Sequence, residues 1–227
     1  MVLPGKIFKL REVIGFKTLA RTLKGYRLTE NFVVGSKEFE LVTEITNIIE
    51  EEYRISGLYS QDSVIFVYYR GEQVPVPKTT ETVFSFTARK NDVLLTILQE
   101  KWAAKRIANE FSRILFGRTS LIGEVDIPPD ALKEFHEENP RGTKVTFFEG
   151  MGYANIEKIS LYGPDLIEAN LYGDYASKGN LWYIVATSKK YGHVVGVTRN
   201  GNVVMFDKAT PQEYLRYVEA EIFPLIP

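Results

Sequence analysis

Apolar residues recur at helical spacing in several stretches of the chain. In residues 100–116, Ala104, Ile107, Ala108, Phe111, Ile114 and Leu115 fall on one helical face, and Gly117 supplies a stop. Lys101, Lys105, Arg106 and Arg113 lie mostly on the other side. In residues 210–222, Tyr214, Leu215, Val218 and Ile222 form a similar stripe. There Thr210-Pro211-Gln212-Glu213 has the order of a capping box, with proline at the first helical position. Residues 128–138 read as a short helix that opens on Pro128 and Pro129 and closes before Pro140. Residues 11–24 offer another, with Phe16, Leu19 and Leu23 on one side. Residues 38–51 also fit a helix through Phe39, Leu41, Val42, Ile45, Ile48 and Ile49, although Phe39 and Leu41 alternate as a strand would.

Strand patterns fill the segments between. Residues 53–59, 63–69, 82–87 and 93–98 are rich in β-branched and aromatic residues, bounded by Gly71, Pro75, Pro77, Asn91 and Asp92. Residues 121–127, 144–149, 156–161, 181–187, 193–198 and 202–206 follow the same rule. The last two flank Asn200-Gly201, which predicts a hairpin with a type I′ turn.

Each half of the chain, 1–118 and 119–227, therefore reads as strand, helix, several strands and a closing helix. The expected fold class is α+β, with antiparallel sheets covered by helices in two similarly ordered halves. That order of elements resembles the half-repeat of the TATA-box-binding protein fold, and also helix-grip folds. The resemblance rests on order alone, since no sequence motif of either occurs.

Composition narrows the chemistry. The 227 residues hold no cysteine, which removes disulfides, thiolate metal sites and thiol nucleophiles. With four glutamines besides, the usage leans toward a thermophile's. The first residues lack the apolar stretch of a secretory signal, and no run reaches the roughly 18 apolar residues of a membrane span. The expectation is a soluble, cytoplasmic protein without a membrane partner.

The net charge of −1 conceals blocks. Residues 1–27 carry seven basic side chains against Glu12, and residues 28–62 carry eight acids against Lys37 and Arg54. Residues 89–118 hold seven basic and three acidic side chains, and residues 119–179 eleven acidic and five basic. Such blocks either meet charged partners or neutralise each other within the fold.

No catalytic motif is complete. His136-Glu137 begins like a zincin helix, but Pro140 stands where the second histidine belongs, so His136 reads as a solvated residue. Gly150-Met151-Gly152 lacks the third glycine of a dinucleotide fingerprint and reads as a loop. No lysine follows an acid by two positions, as a PD-(D/E)xK nuclease requires. Asp126/Asp130 and Glu134/Glu138 have the spacing of a solvated helix face as well as of a hard-cation site. Ser56, Ser160 and Ser188 have no identifiable base. The reading assigns no cofactor, no metal and no catalytic residue.

Two features suit binding. Arg89, Lys90, Lys101, Lys105, Arg106, Arg113 and Arg118 follow strands that carry Phe66, Tyr68, Tyr69, Phe84 and Phe86, a mixture suited to phosphates and stacked bases. Tyr153, Tyr162, Tyr172, Tyr175, Trp182, Tyr183 and Tyr191 enrich an acidic stretch with interface residues, and residues 172–180 read as an exposed loop. The expected binding residues are Lys101, Lys105, Arg106, Arg113, Tyr172, Tyr175 and Trp182. The expected function is that of a non-enzymatic binding or regulatory protein. The sequence does not name its partner; another protein, a second copy of the chain and nucleic acid are the open alternatives. The alternatives are a nucleic-acid-binding protein using the basic segments 1–27 and 89–118, and a hydrolase or transferase whose site forms only in three dimensions.

Overall fold

A computed structural model describes every residue except 1, 90, 91 and 141. Lys90 and Asn91, named above in the basic set and as a strand boundary, thus lie outside the described residues. The expectation of helix-covered α+β halves is overturned. The described residues form twelve strands and only five α-helices, and long strands dominate. The chain divides into two compact units.

One unit comprises Leu10–Ile97 and Arg106–Ile122. Its strands are β2 (Arg27–Val34), β3 (Lys37–Glu50), β4 (Arg54–Tyr69), β5 (Glu72–Ala88) and β6 (Val93–Ile97). They pair antiparallel in that order. Helix α1 (Phe16–Leu23) and most of α2 (Lys101–Phe116) belong here. Phe111 of α2 packs on Tyr59, Phe84 and Phe86, with ring centroids 4.8–5.5 Å away. All four are buried, and such tilted and edge-on contacts suit the ring quadrupoles.

The helix expected at 38–51 is strand β3. Between Thr46 and Ile49 the register with β4 slips by one residue, and Asn47 there takes a φ of 53°. This bulge inverts the alternation of side chains. Ile45 is buried before it, and Ile48, half-buried after it, turns to the same side and reaches over Gly57. A spacing of two thus becomes three and imitates a helical period. The two segments 53–59 and 63–69 are one strand, β4. Pro75 and Pro77 lie inside β5 rather than bounding it.

The other unit comprises Met1–Lys9, Leu98–Lys105 and Gly123–Pro227. Its sheet runs β1 (Leu3–Leu10), β12 (Asn202–Met205), β11 (Val194–Thr198), β10 (Asn180–Thr187), β8 (Val145–Tyr153), β9 (Ile156–Tyr162), each pair antiparallel. The alternation buries Val203, Met205, Val195, Val197, Ile184 and Ala186 on one face. Helices α3 (Pro129–Glu138), α4 (Asn170–Ala176) and α5 (Pro211–Tyr217) add Leu132, Phe135, Tyr172, Tyr214 and Tyr217 to the core. Strand β7 (Ile122–Glu124) pairs with β1 and is shorter than the expected 121–127. Gly150-Met151-Gly152 lies within β8, not in a loop.

The hairpin at Asn200-Gly201 forms, joining β11 to β12. Its turn is not type I′, because only Gly201 takes a positive φ (74°). Gly201 N–H donates to Thr198 O at 3.0 Å, so Arg199 and Asn200 occupy the turn and Gly201 follows as a left-handed bulge residue.

Both halves of the α5 capping box are present. Glu213 N–H donates to Thr210 Oγ1 at 3.2 Å, and Thr210 N–H donates to a Glu213 carboxylate oxygen at 2.7 Å. The Thr210 N–H, and the Thr210 hydroxyl that donates to the same carboxylate oxygen at 2.9 Å, hold the Glu213 carboxyl below its usual pKa. Replacing Thr210 with alanine should lower stability by about 1 kcal/mol, read from urea unfolding, with the m-value unchanged.

Candidate functional site

The ladder between β3 and β4 ends at Thr43↔Gln61. Beyond it, the start of β3 pairs with β2 alone and the end of β4 pairs with β5 alone. The sheet forks there into two hairpin arms. Asp62 sits at the fork, where its carboxylate accepts the Val42 N–H at 3.0 Å and the Thr79 hydroxyl at 2.6 Å. These two bonds depress its pKa.

Both arms close on two-residue turns whose twist matches that of the strands. Gly35-Ser36 has a positive φ at the first position only, the pattern of type II′. Arg70-Gly71 has it at both positions, the pattern of type I′.

Both arms are largely exposed, with only Phe39, Leu41 and Val74 half-buried among the apolar residues of the face described next. On the face that continues from the core, the β2–β3 arm carries Leu28, Phe32, Phe39 and Leu41. On the same face the β4–β5 arm carries Ile65, Val67, Tyr69, Val74 and Val76. Phe66 and Tyr68 stand on the reverse face, and Tyr68 is 73% exposed. A two-stranded ribbon largely exposed on both faces is marginal in water, and large exposed apolar surfaces mark contact sites.

The edges of the β4–β5 arm differ. The turn-closing pair Tyr69↔Glu72 sets the alternation, so odd-numbered residues of β4 bond to β5. Val64, Phe66 and Tyr68 then direct their backbone groups into the fork. Pro75 and Pro77 face Phe66 and Val64 across the ladder, so their nitrogens point to the outer edge of β5. Proline removes the donor that strand addition needs. The outer edge is blocked, and the edge inside the fork is not.

The residues expected to bind are dispersed. Lys101, Trp102 and Lys105 lie at the start of α2. Trp102 is 76% exposed, with both ammonium groups 5.4 Å from its ring centroid. Lys105 also pairs with Glu124 at 3.1 Å, and Arg113 with Glu110 at 2.7 Å. Arg106 is exposed on the same helix. Tyr172 and Tyr175 do not lie in an exposed loop. They belong to α4, where both rings pack on Phe148. Trp182 is the extra residue of a bulge in β10 opposite β8. It joins Phe147 and Tyr183, and Lys158 Nζ lies 4.8 Å from its ring.

Two buried polar groups had no sequence signature. Lys6 in β1 is fully shielded from solvent. Its ammonium donates to Asn200 O at 2.8 Å and to Asn202 Oδ1 at 3.3 Å, and pairs with Glu124 at 2.6 Å. Burial lowers its pKa despite that partner. Burial would raise the pKa of Glu124, but hydrogen bonds from Lys6 and Lys105 hold it low. These bonds tie the Asn200 turn to β1 and β7.

His136 is not solvated. It is buried on α3, with Nδ1 2.8 Å from the Tyr172 hydroxyl and Nε2 without a partner. Burial pushes its pKa down to about 4. His193 lies 3.8 Å from Asp207 and edge-on to Tyr217.

No protein-family model matches this chain, and no curated protein matches it.

The fold holds His136 neutral, whereas the unfolded chain protonates it near pH 6.5. The unfolded state therefore binds the extra proton as pH falls through that window, and stability declines from about pH 6.5 to 4. Urea unfolding across this range should show the decline. In His136→Phe its slope should shrink, with a difference of roughly 3 kcal/mol by pH 4.

Proposed function

We propose that this chain is a binding protein whose contact surface is the pair of hairpin arms and whose partner is a polypeptide. The observation that carries this reading is the fork. Both arms are apolar on the face that continues from the core, largely exposed on that face, and open at the edge inside the fork. An unpaired strand edge matches a polypeptide backbone, which supplies N–H and C=O groups at the same repeat. Between residues 63 and 79 the only charged side chains are Arg70, Glu72 and Lys78, too few to favour a nucleic-acid backbone.

A photo-cross-linking residue placed at Tyr68 and irradiated in the source cells tests this. The expected result is an adduct with a polypeptide. The same probe at Tyr162, exposed in the other unit, should give none. Absence of an adduct at position 68 would overturn the reading.

A second reading rests on Trp102. An exposed indole beside two lysines suits a base stacked next to phosphates. Single-stranded DNA or RNA at low salt should then quench Trp102 fluorescence. The quenching should vanish in Lys101→Glu and weaken as salt rises. Unchanged fluorescence in Trp182→Phe, which leaves Trp102 as the only indole, would remove this reading.

A further inference from the structure

We propose that the partner in the fork is a second copy of this chain, joined by antiparallel pairing of β4 with β4 about a twofold axis. The inference rests on the reading of the arms as a polypeptide-binding surface and names their partner. Three observations point to a copy of the same strand.

The first is the selective protection of the arm. Pro75 and Pro77 close the outer edge of β5, while the β4 edge has no proline from Arg54 to Tyr69. Exposed edges are ordinarily blunted by proline, charge or cover. Here one edge is blunted and its neighbour is left able to pair.

The second is the absence of charge on that edge. Ser63-Val64-Ile65-Phe66-Val67-Tyr68-Tyr69 contains no charged side chain. Two copies laid antiparallel place no like charges opposite one another. The facing edge of β3 carries Lys37, Glu38 and Glu40 and would set like charges together if it paired with itself.

The third is register. If Phe66 lies opposite Phe66 of the second copy, Val64 lies opposite Tyr68 and Ser63 opposite Tyr69, so the ladder spans the uncharged run at both ends. The even-numbered residues that meet in this register are those whose backbone groups point into the fork. The twofold satisfies both β4 edges at once, and the contact is closed between the two copies. The joined arms form a sheet in the order β5–β4–β4–β5. Ile65, Val67, Val74 and Val76 of both copies share one apolar face.

The test uses the full-length chain. Light scattering and sedimentation equilibrium from about 1 to 200 µM should give twice the mass of one chain, within the range of symmetric dimers. Phe66→Pro removes an N–H that points into the fork, away from β5 and beyond the end of the β3 ladder. It should weaken the dimer at least tenfold while leaving the circular dichroism spectrum unchanged. Gln73→Pro extends the proline block along the outer edge, where Gln73 faces Tyr68 across the ladder, and should leave the dimer intact.

Because the chain has no cysteine, Phe66→Cys offers a readout that does not depend on a proline variant folding. Directly opposed Cα atoms in such a pair lie about 5.5 Å apart, within disulfide reach. Mild oxidation should link Phe66→Cys chains in pairs and leave Tyr162→Cys chains unlinked. A monomer at every concentration overturns the proposal. So does a dimer that Phe66→Pro leaves unchanged, or one that Phe66→Cys fails to link. A monomer whose Tyr68 probe still captures a different polypeptide overturns the second copy alone. A monomer with no adduct overturns the arms as a binding surface too.

Discussion

Backbone hydrogen bonding governs this protein, because a strand that leaves its neighbour must find another or stay open. The β3–β4 ladder stops at Thr43↔Gln61, and everything distinctive about the first unit follows from that stop. Below it, Ile45, Tyr59, Phe84 and Phe86 are buried, with Phe111 of α2 packed on the three aromatic rings. Above it the same face continues with Ile65 and Val67, which are exposed, and Val74, which is half-buried. Asp62 stabilises the fork locally by giving the Val42 N–H a carboxylate in place of a strand carbonyl. The arms are thus built to stay apart, each held by its own turn.

The second unit handles polar burial differently. Lys6 is enclosed beneath the Asn200 turn, where Glu124 supplies the counter-charge and Asn200 and Asn202 accept the remaining protons. A buried charge is tolerated only with such partners, and loss of one leaves the other uncompensated. Arg199 anchors the same turn from outside through Asp126 and Glu149, both at 3.1 Å. Asp126, whose spacing with Asp130 suited a cation, is engaged by a guanidinium instead. The charge blocks of the sequence are partly consumed in contacts of this kind: Glu124 takes up both Lys6 and Lys105.

Much of the local structure was legible. The helices at 101–116, 129–138 and 211–217 follow from their apolar spacing, their prolines and the Thr210 box. The hairpin at Asn200-Gly201 was legible as a hairpin, but its turn type depended on the backbone of Asn200, which stays out of the left-handed region. The candidate surface was hardly legible. Phe66, Tyr68 and Tyr69 were visible as aromatics, but alternating aromatics in a strand usually belong to a core, and only the end of the ladder leaves these outside one. The signal that was available is Val34-Gly35-Ser36-Lys37 and Tyr69-Arg70-Gly71-Glu72, each a glycine turn between β-prone runs. Tyr172 and His136 gave no such signal, because their burial comes from α4 packing on the sheet and on α3.

What the sequence determined by itself is therefore local. Hydrophobic period, caps and glycine turns act over a few residues and need no partner. They settle where helices start and stop, and which chemistries a chain without cysteine lacks. Whether residues 38–51 became helix or strand was decided in three dimensions. A single bulge at Asn47 makes a strand's alternation imitate a helical period, and the cross-strand partners in β2 and β4 broke the tie. The same holds for the arms. Pro75 and Pro77 look like strand breakers until β4 lies on one side of them and no described strand pairs on the other. Which edge is open is a property of the pairing of distant segments, and no pattern within one segment encodes it.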